Sequence, residues 1–131
     1  MASMNIKINR ILIAEDDLAL KPLWEAFFRK LGRPFVIQWT VSCEEAVKIL
    51  EKNPDFDLII SDIFLAGSGT GIELLNSPEA NRCRAKKVLI SAVDKASVLE
   101  EYPADIGDVE VISKPFNGRL YEPIITGLLS L

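Results

Sequence analysis

Five short runs of aliphatic and β-branched residues recur along the chain: "RILIA" (10–14), "FVIQWTV" (35–41), "DLIIS" (57–61), "KVLIS" (87–91) and "VEVIS" (109–113). Each is followed by a helical or loop stretch, the alternation that builds a parallel sheet covered by helices. The first, third and fourth runs are continuously apolar, as strands buried on both faces must be, whereas "VIQWTV" and "VEVIS" alternate polar with apolar and read as edges. With right-handed crossovers, this predicts an α/β, doubly wound five-stranded parallel sheet of order 2-1-3-4-5, with strands one and three side by side at the topological switch point.

The helices follow from a 3.6-residue period. Leu20, Leu23, Trp24, Phe27, Phe28 and Leu31 fall on one stripe, which predicts a first helix over about residues 17–31, closed by Gly32. Trp24 and the two phenylalanines are therefore core. "CEEAVKILEKN" reads as a second helix, "GIELLNSPE" as a third and shorter one, "KASVLEEY" as a fourth and "NGRLYEPIITGLLSL" as a fifth, weakened by Pro123 and Gly127.

At 131 residues and 49% hydrophobic content, residues 1–131 make one domain with a sizeable core; the opening "MAS" before Met4 reads as a tail without structural weight. No apolar run approaches the roughly 18 residues of a spanning helix, and no leader pattern is visible, so a cytoplasmic location without membrane insertion is expected. A net charge of −4 offers no basic footprint for nucleic acid. Cys43 and Cys83 stand far apart without a CxxC and read as buried small residues rather than metal ligands or a disulfide. Histidine is absent, which removes imidazole bases and phosphohistidine from the chain's own chemistry.

In an open α/β sheet, ligands bind beyond the carboxyl ends of the strands, so the residues just after each strand are the informative ones. They are Glu15 and Asp16 after the first, Asp62 after the third, Ser91 after the fourth and Lys114 after the fifth. Each has a plain reading on its own. Asp62 suits a turn, Glu15 a solvated acid, Asp17 the cap or first turn of the first helix, Ser91 a polar strand end and Lys114 a surface lysine. Together they place three carboxylates, a hydroxyl and an ammonium at one mouth. Carboxylates so close repel unless a cation lies between them, and hard oxygen ligands suit Mg²⁺. A metal would let a carboxylate nucleophile approach a phosphoryl group, with Lys114 and Ser91 each contacting a phosphoryl oxygen.

The pieces "ILIAEDD", "DLIISDI", "VLISA" and "SKPF", in this order and spacing, resemble the receiver domain of two-component response regulators, from Arg10 to the C-terminus. The resemblance implies a flavodoxin-like, CheY-like three-layer sandwich in which Asp62 is phosphorylated by a sensor histidine kinase or a histidine phosphotransfer protein. It further implies that Asp16 binds Mg²⁺ directly, with Mn²⁺ as a substitute, that Glu15 acts on the metal through water, and that the Phe64 main-chain carbonyl is another ligand. Ser91 would contact the phosphoryl group, Lys114 would bridge Asp62 or its phosphate, and Pro115 implies a cis Lys–Pro bond. A downstream protein target would read the phosphorylated state.

The chain departs from the family at several positions. Ala66 and Thr70 stand where a proline and a glycine are usual, and Gly71 takes the glycine role after a one-residue insertion. Val111 replaces the aromatic residue three before the site lysine. Phe64 and Val93 occupy the positions that flank the path of the attacking water. The sequence stops just after the fifth helix without an output region, as in a free-standing receiver or one cut from a larger protein such as a hybrid kinase. Two rivals remain. A phosphatase working through an aspartyl phosphate would need an acid where Phe64 stands. A receiver-like interaction module independent of phosphorylation fits the altered loop and Val111, but not the intact acid, hydroxyl and lysine set. Outside the phosphatase reading, the chain catalyses at most its own phosphotransfer and dephosphorylation and is not an enzyme in the ordinary sense.

Overall fold

A computed structural model describes residues 7–102 and 107–131. The five apolar runs form β1 (Asn9–Ala14), β2 (Phe35–Thr40), β3 (Leu58–Asp62), β4 (Lys86–Ser91) and β5 (Glu110–Ser113). They pair in parallel in the order β2-β1-β3-β4-β5. The register sets Ile13 against Ile60, Ile60 against Val88, and Ile90 against Ile112, so that alternate residues of neighbouring strands share a face. The opening tail before Met4 lies outside the described residues.

The continuous hydrophobicity of the central strands is accounted for by a core on each side of the sheet. On one face Ile11, Ile13, Leu58, Ile60, Val88, Ile90 and Ile112 pack against Trp24, Phe27 and Phe28 of α1 (Lys21–Lys30) and Tyr121 and Ile125 of α6 (Gly118–Leu128). On the other, Leu12, Ala14, Ile59 and Leu89 meet α2 (Cys43–Lys52), α3 (Gly71–Leu75), α4 (Pro78–Arg82) and α5 (Lys95–Glu101) through Ala46, Leu50, Ile72, Leu74, Ala80 and Val98. β2 and β5 are only half-covered, as edges should be. Cys43 and Cys83 are buried free thiols.

Three local expectations are corrected. The first helix does not begin at 17: residues Leu18–Leu20 form a 3₁₀ turn capped by the Asp17 side chain, and α1 starts at Lys21. Pro22 has no N–H to reach the Leu18 carbonyl, so the Lys21 N–H takes it in a tighter bond. Leu23, expected in the buried stripe, is 45% exposed. The expected third helix is two, because Ser77 accepts from the Ala80 N–H as a new N-cap and Pro78 opens α4. By contrast, α6 runs through Pro123 without a break, its ring on the exposed side of the helix. Gly32 closes α1 at φ +69°, where a side chain would be strained.

Candidate functional site

The carboxyl ends of β1, β3, β4 and β5 meet at one mouth. The Glu15 N–H donates to the Thr40 carbonyl (2.9 Å), which carries the β1–β2 ladder one residue past Ala14 and leaves the Glu15 side chain 1% exposed. Asp62 ends β3 and is 5% exposed, while Asp16 lies open to solvent. Carboxylate oxygens of Glu15, Asp16 and Asp62 lie within 4.8 Å of one another. Asp62 is held through both oxygens: Oδ1 accepts from the Ile63 N–H (2.8 Å) and Oδ2 lies 2.7 Å from Lys114 Nζ.

Lys114 reaches Asp62 because its own N–H donates to the Ser91 carbonyl (2.8 Å), continuing the β4–β5 pairing by one residue. The Lys114–Pro115 bond is cis. The Tyr121 hydroxyl donates to the carbonyls of Ser113 and Pro115, the latter at 3.2 Å, and thereby ties the turn after β5 to α6. Tyr121 lies within the run expected to form the fifth helix, and its polar end acts only through this tertiary contact. Ser91 is buried, and its Oγ accepts from the Val93 N–H (3.0 Å). The hydroxyl hydrogen has no acceptor among the described residues.

Glu15, Asp16, Asp62 and Lys114 line a cleft of about 600 Å³, with Trp24 and Tyr121 in its wall. Glu15 is its electrostatic anomaly. Burial, opposed by the Asp17 N–H on its Oε2 (3.0 Å) and reinforced by the neighbouring Asp62 charge, pushes its carboxyl up to about 7. Its other oxygen, Oε1, is buried with no hydrogen-bond partner. An orphaned carboxylate oxygen beside two further carboxylates is a donor set for a hard cation or a water attached to one.

Beyond Asp62 the chain is tightly packed. The Gly71 N–H donates to the Ile63 carbonyl (2.7 Å), and a Cβ on Gly71 would stand 1.9 Å from the Asp62 carbonyl oxygen. Only glycine fits there. Phe64 pairs with Thr70 in an isolated antiparallel bridge, its side chain 70% exposed at the rim, and Val93 is exposed as well. Val111 is half-buried and packs against the core on the α2 side of the sheet.

The family comparison agrees with this architecture. The model of the response regulator receiver domain matches residues 11–124. The chain belongs to that family, the phosphorelay modules of two-component systems. Similar solved structures include a response regulator receiver protein from Sinorhizobium medicae (20% identity over 96% of this chain and 98% of that one, TM-score 0.77). A two-component response regulator from Clostridium difficile is 24% identical over 93% and 96%, with a TM-score of 0.75. The receiver domain of a sensor histidine kinase from Pseudomonas aeruginosa, with a magnesium ion coordinated in its active-site cleft, is 19% identical over 95% and 100%, TM-score 0.73. At these identities the likeness is one of fold. No curated protein matches the sequence. Among the described residues no helix is long and apolar enough to cross a membrane.

Proposed function

We propose that the chain is a phosphoacceptor, a single receiver unit in which Asp62 takes a phosphoryl group from a phosphohistidine on a sensor histidine kinase or a histidine phosphotransfer protein. The observation that carries this reading is the buried Asp62 carboxylate, paired with Lys114 at 2.7 Å and grouped with Glu15 and Asp16 within 4.8 Å. An oxygen of Asp62 forms the bond to phosphorus as the phosphorus–nitrogen bond of the donor breaks, and the electron pair stays on the imidazole nitrogen. Lys114 leaves the carboxylate to neutralise a phosphoryl oxygen, and the free hydroxyl hydrogen of Ser91 turns to another.

The residues present fit a magnesium ion: Asp16, Asp62 and the Phe64 main-chain carbonyl would hold it, and Glu15, whose Oε1 has no protein partner, would act through water. Mn²⁺ would substitute. When bound, such an ion supplies neutralisation of the negative charge that gathers between acid and phosphoryl group. The chain's catalysis is confined to its own phosphorylation and dephosphorylation. Its partners are the donor and a downstream protein that reads the new state, both in the cytoplasm; with a net charge of −4, nucleic acid is not among them.

Transfer is the direct test. A histidine-phosphorylated phosphotransfer protein, mixed with the chain and Mg²⁺, should lose its phosphoryl group to the wild type and keep it in the presence of Asp62→Asn. Equal loss to both would refute the assignment of Asp62.

A further inference from the structure

The loop between β3 and α3 is held from outside by the start of α2. The Ala66 N–H donates to the Val41 carbonyl (2.9 Å), and Ser42 and Ala66 form an isolated parallel bridge. Further along, Glu44 Oε1 accepts from the Gly69 N–H (3.0 Å) and from the Ser68 hydroxyl (3.2 Å). The approach is close. A Cβ at Gly69 would meet Cys43 Cβ at 2.6 Å, and one at Gly67, whose φ is +82°, would meet Glu44 Oε2 at 3.1 Å. At its base, the same loop is closed by the Phe64–Thr70 bridge and the bond from Gly71 to Ile63. It therefore runs from the acceptor aspartate to α2 and back.

An acid in the first turn of a helix ordinarily needs no further explanation, since it complements the helix dipole. The two acids here behave differently. Glu45 is taken by the Thr40 hydroxyl, while Glu44 turns to the loop. Hydrogen bonds from its own N–H, then from Ser68 and Gly69, hold the Glu44 carboxyl below its usual range, as expected of an acceptor engaged in its ionised form.

We propose that Glu44 is a positioning residue for the acceptor site: by fixing the tip of this loop it fixes the base, including the main chain of Phe64 two residues past Asp62, and so sets the affinity of the acidic mouth for a divalent cation. The inference rests on the magnesium-dependent reading given above. A loop released at its tip spreads over several arrangements, and a cation that needs one of them binds more weakly in proportion to its reduced population.

The test is Mg²⁺ binding to the whole chain by calorimetry, with no phosphodonor present. Glu44→Ala should weaken binding by about three- to tenfold, the scale of losing one typical hydrogen bond. Glu44→Gln keeps an amide oxygen for Ser68 and Gly69 and should bind nearly as the wild type does. Gly69→Ala, which pushes the loop off Cys43 with the Glu44 carboxylate intact, should also weaken binding. Equal loss in Glu44→Ala and Glu44→Gln would reduce Glu44 to one more negative charge and overturn the proposal, as would unchanged affinity in Glu44→Ala. In the latter case the wild type still binds Mg²⁺ and the acceptor reading stands; a wild type that takes up no Mg²⁺ would end both.

Discussion

Replacing Glu15 by Gln should stabilise the metal-free protein, slightly at pH 5 and fully above pH 7. In the folded chain burial and the neighbouring Asp62 charge lift the Glu15 carboxyl from 4.5 to about 7, whereas in the unfolded chain it titrates near its ordinary value. The folded state thus keeps its proton over a range where the unfolded state has lost it. As pH rises from 4.5 to 7 the unfolded state is increasingly favoured, and above 7 the full penalty is present. A rise of about 2.5 units at 1.36 kcal/mol each corresponds to a penalty of about 3 kcal/mol at pH 8 and about 1 kcal/mol at pH 5. Gln is near in shape and never ionises, so Glu15→Gln removes the penalty. Urea unfolding in EDTA at both pH values, wild type against Glu15→Gln, measures it. A stability difference that is the same at pH 5 and pH 8 would refute the reasoning, because a pure packing effect does not titrate. With saturating Mg²⁺ the advantage of the variant should shrink, since a cation offsets the repulsion that Gln merely avoids.

The other expectations concern the same mouth. Gly71→Ala sets a methyl against the Asp62 carbonyl oxygen at 1.9 Å, so it should shift the loop after β3, cost on the order of 2–3 kcal/mol in urea unfolding and slow phosphorylation; wild-type stability would show that the loop yields freely. Asp16→Ala should abolish metal-dependent phosphorylation while the chain keeps its far-ultraviolet circular dichroism, and full phosphorylation of the variant would remove Asp16 from the metal set. Phe64→Asn should speed loss of the phosphoryl group by on the order of tenfold, about 1.4 kcal/mol of barrier, if the phenyl ring exposed at the rim folds over the phosphorus, where an amide would instead orient water. An unchanged decay rate would mean that the ring stays turned to solvent.

Features governed by solvent exposure averaged over many residues were the most legible in the sequence. The order of the five strands could be read because burial on both faces leaves β1, β3 and β4 continuously apolar while β2 and β5 alternate. The acids, hydroxyl and lysine of the mouth could be read because a parallel sheet brings its strand ends to one edge. Single hydrogen bonds were harder to see. The start of α1 turns on the one N–H that Pro22 lacks, and the break between α3 and α4 on Ser77 capping Ala80, a local preference that a short apolar pattern across 71–79 concealed. Tyr121 and Glu44 carry no local sign of their roles, since the partners of their polar atoms, at Ser113, Pro115, Ser68 and Gly69, are brought to them only by the finished fold.

The central claim is that Asp62 is an acyl-phosphate acceptor that depends on the acids around it, and intact-mass spectrometry after incubation with acetyl phosphate and Mg²⁺ tests it most directly. The account predicts one phosphoryl group added to the wild type, none to Asp62→Asn, and none to the wild type in excess EDTA. An unchanged mass across a range of donor concentrations, or an addition that persists in Asp62→Asn, would contradict it.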